Sequence, residues 1–121
     1  MATVPVTRIS FLGSIILRWV LGNGDVGAVA TMPGAGHDRS VHLYGTPGVG
    51  FGIVIEGSDE ASMAPANLVT LRDPFNTALS YTTLPQLRTI LDPCLHVRPR
   101  NTGGDGTTSV TVDIFTPGSR R

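Results

Sequence analysis

The stretch RPRNTGGDGTTSVTV, residues 98–112, governs the architecture, because its Gly103, Gly104, Asp105 and Gly106 suit three different structures. They could cradle a phosphate, ligate calcium or turn the chain between two strands. A phosphate cradle needs its glycines to open a helix whose amide groups converge on the anion. The residues after Gly106 are instead β-branched and alternating, with Val110, Val112 and Ile114 on one side and Ser109, Thr111 and Asp113 on the other. Glycine-aspartate calcium loops stack as repeats along a solenoid, and this chain has one such loop and no internal period. The turn reading remains, since glycine and aspartate supply the positive backbone angles a tight turn needs. It predicts a hairpin joining CLHVRPR (94–100) to TTSVTVDIF (107–115), with Ser109, Thr111 and Asp113 toward solvent.

On the N-terminal side of that loop the same period of two recurs. VGFGIVIEG (49–57) places Val49, Phe51, Ile53 and Ile55 on one face, with Gly50, Gly52, Val54 and Glu56 on the other. Alternating glycines in a strand leave room for something bulky or close. RSVHLYG (39–45) sets Val41 and Leu43 against His42 and Tyr44, and ANLVTL (66–71), ALSYT (78–82) and LRTIL (87–91) are short runs separated by turn residues. SIILRWVL (14–21) is apolar on both sides if extended, which predicts a strand covered on both faces. DVGAVAT (25–31) reads as one further strand and MPGAGHD (32–38) as its loop.

The first residues differ. Pro5 among β-branched residues disfavours helix, so residues 1–12 are expected to form an extended arm ahead of a sandwich domain at 13–121. The exposed apolar content of this region marks Val4, Val6, Ile9, Phe11 and Trp19 as candidate interface residues. Arg8, the apolar run after it and AVA (28–30) imitate a secretory leader, but Arg18 and GNGDVG interrupt the pattern, so the N-terminus is read as mature protein. The run is also too short, and too charged at Arg18, to span a bilayer.

Composition narrows the partners. A chain of 121 residues suits one domain, and 15 glycines with nine prolines favour turns over long helices. Nine basic residues, all arginine, balance nine acidic ones, so no global field draws the molecule to nucleic acid or an anionic membrane. Arg98 and Arg100 suit carboxylates on a protein partner. Cys94 stands alone, so it is read as a small core side chain and not as half of a disulfide or a zinc ligand. His37, in AGHDRS, lacks any nucleophile elbow and reads as a turn residue, while His42 and His96 read as surface or interface side chains. The acidic EGSDEAS (56–62) matches paired carboxylates for sugar hydrolysis, but its serine, glycine and aspartate fit a turn better. No catalytic set, metal or cofactor is expected.

Across DRSVHLYGTPGVGFGIVIEGSDE (38–60), LVTLRDPFNTALSYT (68–82) and VRPRNTGGDGTTSVTV (97–112), the chain resembles the small capsid decoration, or cement, proteins of tailed bacteriophages. The resemblance is carried by Gly45, Thr46 and Gly48, then Glu56, Gly57, Ser58 and Asp59, then Leu71, Asp73, Pro74, Ala78 and Leu79. Arg98, Pro99, Gly103, Gly104, Asp105, Gly106 and Thr107 complete it. The chain departs from the pattern at EASMAPANL, where the family carries an aromatic turn, and at FNTA. The resemblance implies a trimeric, jelly-roll-like antiparallel β-sandwich on the outer surface of the virion head, bracing major capsid subunits after synthesis in the bacterial cytoplasm. The alternatives are a head-to-tail joining or tail protein of a phage, which forms larger rings, and a carbohydrate-binding β-sandwich.

Overall fold

Alternating side chains build two sheets here, and each sheet turns its apolar side to the other. A computed structural model describes residues 2–32, 39–62, 64–92 and 94–117. In chain order the strands are β1 (Thr3–Val4), β2 (Thr7–Phe11), β3 (Ser14–Leu21), β4 (Val26–Gly27), β5 (Ala30–Thr31) and β6 (Arg39–Thr46). They continue with β7 (Ile53–Ser58), β8 (Val69–Thr70), β9 (Ser80–Tyr81), β10 (Gln86–Ile90), β11 (His96–Asn101) and β12 (Ser109–Thr116). Five strands form one sheet in the order β10-β6-β12-β3-β2. Seven form the other, in the order β1-β4-β11-β7-β8, with β5 also on β11 and β9 also on β7. The fold is the expected all-β sandwich. Its pairs are antiparallel except β1 with β4, which is parallel.

Register explains the core. In the five-stranded sheet Ile114 lies between Leu17 and Val41, and Val112 lies between Trp19 and Leu43. All of these are buried, as are Ile53, Ile55 and Val97 from the facing sheet. Burying a side chain of this kind contributes roughly 1.5–3 kcal/mol, so the interleaved rows supply most of the drive to fold.

Four expectations change. The segment 98–112 is not a hairpin: β11 pairs with β7, β4 and β5 in one sheet, and β12 with β3 and β6 in the other. The glycine-rich loop therefore arches between sheets. The predicted strand over 25–31 breaks into β4 and β5, because its register against β11 slips by one residue between Arg100↔Val26 and Val97↔Ala30. Pro99 faces this break and has no N–H to give. The freed groups find other partners: Ala28 N donates to Val4 O at 2.7 Å, and the Trp19 indole Nε1 donates to Ala28 O at 2.9 Å.

The strand over 14–21 is covered on one side only. Leu17, Trp19 and Leu21 are buried, but Ile16 and Arg18 are partly open and Val20 is exposed. Finally, the arm is extended but is not an appendage. Pro5 marks the point where the chain leaves the seven-stranded sheet, as β1, and enters the five-stranded one, as β2. Val4 and Val6 pack against the core. Deleting residues 2–11 should therefore lower thermal stability in a melting experiment, which a free arm would not.

Candidate interaction surfaces

The outer face of the five-stranded sheet is built by the side chains that alternate with the core. One row across it holds Ser40, Phe115, Ile16 and Ile9, and the next holds His42, Asp113, Arg18 and Thr7. Asp113, expected toward solvent, is buried instead, because its neighbours close over it. Arg18 Nε donates to Asp113 Oδ1 at 2.7 Å, Arg18 Nη2 to Oδ2 at 2.9 Å, and the Tyr44 hydroxyl to Oδ2 at 2.8 Å. The Asp113 hydrogen bonds hold the Arg18 guanidinium well above its ordinary pKa, while burial, then Asp113, pushes the Tyr44 phenol up. His42 lies exposed with its ring 4.6 Å from that of Tyr44. The polar cluster is self-satisfied, and around it Ile9, Ile16, Phe115 and Val20 remain partly or fully open.

The outer face of the seven-stranded sheet carries a second cluster. Glu56, buried, accepts from Arg98 Nε at 3.0 Å and from Arg100 Nη2 at 3.1 Å. Both arginines are thus oriented by an internal carboxylate rather than left for a partner alone. Further along the same face, His96 is buried and not at the surface as expected. Its Nε2 lies 3.1 Å from Glu60 O, and Nδ1 has no partner among the described residues. A carbonyl oxygen can only accept, so Nε2 is the donor in this contact. His37 lies outside the described residues.

The acidic segment does not converge. Glu56 holds the two arginines, Asp59 accepts from Leu95 N at 2.8 Å, and Glu60 accepts from Asn67 N. The Asn67 amide lowers the Glu60 pKa. Cys94 is half-buried, and burial pushes its thiol up to about 11, the opposite of an activated nucleophile. Among the described residues no three His, Cys, Asp or Glu side chains are grouped to hold a metal.

The glycine-rich loop after β11 is pinned by one aspartate. Asp105 Oδ2 accepts from Val49 N at 2.8 Å and Oδ1 accepts from Thr107 N at 2.9 Å and Thr107 Oγ1 at 2.6 Å. Thr108 Oγ1 then donates to Pro47 O at 2.8 Å. These bonds join the two loops at one end of the sandwich, and those from Thr107 and Val49 lower the Asp105 pKa from 3.8 to about 2. A lowered carboxylate contributes stability above its ordinary pKa and loses it as pH falls through the folded value. Between pH 4 and 2, therefore, the amides of Val49 and Thr107 should lose hydrogen-exchange protection, and Asp105→Asn should weaken that pH dependence.

Of the expected interface residues, Val4 and Val6 are half-buried against the core and Ile9 and Phe11 lie on the open face. Trp19 is corrected: at 1% exposure it is interior, because its parity on β3 matches Leu17 and Leu21. Ile16 and Phe115 were overlooked: Ile16 was read as covered, and Phe115 is an apolar residue in line with Ser109, Thr111 and Asp113. A groove of about 590 Å³ opens beside β10, lined by Asp73, Pro74, Phe75, Tyr81, Leu87 and Arg88. Compared with family models, curated proteins and solved structures, the chain matches none.

Proposed function

We propose that this chain is a structural virion protein, a capsid decoration protein that adheres to the outside of a tailed-phage head and bridges its major capsid subunits. One observation carries the reading: the open row of Ile9, Ile16 and Phe115 beside the mutually hydrogen-bonded Arg18–Asp113–Tyr44 cluster. A sheet offering open apolar groups beside polar ones whose hydrogen bonds are satisfied among themselves has the chemistry of an adhesive surface. The resemblance across residues 38–112 points the same way. In a trimer, three such faces on one lattice would rebind before the others let go, so modest single contacts would add to firm attachment.

The test is co-sedimentation with purified expanded heads. Ile9→Asp and Phe115→Asp, both at partly open positions, should keep the sheet spectrum in circular dichroism. Each should weaken attachment about 30-fold or more, corresponding to a hot-spot loss of about 2 kcal/mol. Attachment unchanged in both variants would overturn the proposal. Assembly into a ring larger than a trimer would favour a head-to-tail joining protein, and glycan binding that fails in Phe115→Asp would favour a carbohydrate module.

A further inference from the structure

The groove beside β10 gathers polar groups from three elements. Asp73 opens the turn after β8, and its Oδ1 accepts from Phe75 N at 2.9 Å and from Thr77 N at 3.0 Å. Those bonds use one carboxylate oxygen only. Oδ2 accepts from none of the described residues and is not sealed from solvent, so this buried side chain keeps one acceptor open on the groove it lines. From β10, Arg88 places its guanidinium carbon 5.6 Å from the centre of the Tyr81 ring and donates from Nη1 to Leu87 O at 3.0 Å. Its Nε and Nη2 donate to none of the described residues. The Tyr81 hydroxyl, on β9, is buried with no hydrogen-bond partner among the described residues. Burial raises its pKa against the opposing pull of Arg88, so it keeps its proton.

The chemistry of this group selects an occupant. Carboxylate and guanidinium cancel, so the groove favours neither an anion nor a cation. It offers an acceptor at Asp73 and donors at Arg88, while the Thr77 and Thr89 hydroxyls serve as either. A neutral molecule that donates and accepts at several points fits, which describes a ring of hydroxyl groups. Phe75 supplies the apolar half. At 88% exposure it adds nothing to the core, and the negative face of its ring suits the C–H side of a sugar. The volume of the groove, about 590 Å³, falls within the range of small-molecule pockets, roughly 300–1,000 Å³.

We propose that the groove beside β10 binds a neutral sugar ring, stacked on Phe75 and held through Asp73 Oδ2 and Arg88. The site goes beyond the capsid reading and does not depend on it, since Phe115, Ile16 and Ile9 lie on β12, β3 and β2.

An array of neutral glycans ending in glucose, galactose, mannose or N-acetylglucosamine tests it, followed by a nuclear magnetic resonance titration with the monosaccharide that binds. The amide signals of Phe75, Thr77 and Thr89 should shift. Phe75→Ala removes an exposed side chain, so it should melt with the parent and bind the sugar about tenfold or more weakly. Asp73→Asn keeps an oxygen for the two turn amides and should weaken binding as well. Phe115→Asp should bind the sugar as the parent does. Array signals confined to acidic glycans, or binding unchanged in Phe75→Ala, would overturn the proposal. So would adenosine shifting the same amides at a lower concentration than any sugar, which would make the groove a slot for a flat base. Binding of no sugar at all sinks this proposal and leaves the capsid reading standing.

Discussion

Trp19→Ala will lower the unfolding free energy by about 3–5 kcal/mol, the range for removing a large buried aromatic side chain. Trp19 is buried between the sheets, level with Val112 and against Gly27, so its loss leaves a cavity in the core. The variant also strands Ala28 O, which otherwise accepts from the indole at 2.9 Å. Urea titration followed by circular dichroism measures the loss, which corresponds to a fall in Tm of roughly 10–20 °C at about 4 °C per kcal/mol. Trp19→Phe separates the two causes: it keeps most of the packing and loses the hydrogen bond, so about 1–3 kcal/mol should disappear. A loss below about 1 kcal/mol in Trp19→Ala would mean the side chain is not in the core. Failure of that variant to bind heads would follow from unfolding and says nothing about contact.

Gly27→Ala should cost about 1–3 kcal/mol by overpacking the same place from the other side. A Cβ at Gly27 would lie 2.6 Å from Pro99 Cδ and 2.7 Å from both Pro99 Cγ and Trp19 Cδ1. Both rings are rigid, and the strand on which Gly27 sits is already displaced by the break before β5. The two substitutions are coupled. Trp19→Ala removes one of the colliding atoms, so the double variant should lose less than the sum of the two single losses. Additive losses in the double-variant cycle would show that the added methyl group escapes in another direction.

Both predictions depend on which face of a strand a residue occupies. In β3, β6 and β12 the core residues are those that parity alone selects, and Trp19 belongs with them although the apolar content of the N-terminal region marked it as an interface residue. The outer face was partly legible as well. Phe115 interrupts the polar set of Ser109, Thr111 and Asp113, which is the signal that it serves something other than the core, whereas Ile16 shares its face with Val20 and carried no such signal. His96 and Asp113 were misplaced because both lie on outward-facing positions that other chain segments cover. His96 lies against Glu60 of the loop after β7, and Asp113 beneath Arg18 and Tyr44 from neighbouring strands.

The order of residues alone establishes that the chain is all-β, where its principal strands run and which side chains in them face the core, because alternation and turn chemistry are local and have a period of two. Which strands pair is fixed only in three dimensions. The residues that turn a hairpin also turn an arch, so Gly103 to Gly106 read alike whether β12 returns beside β11 or crosses to the other sheet. The crossing is chosen by burial of both apolar faces at once and by long-range bonds such as that from Val49 to Asp105, which ties the loop before β7 to the loop before β12. No single stretch of sequence contains that information, since such a bond joins residues whose proximity exists only after the sheets have met.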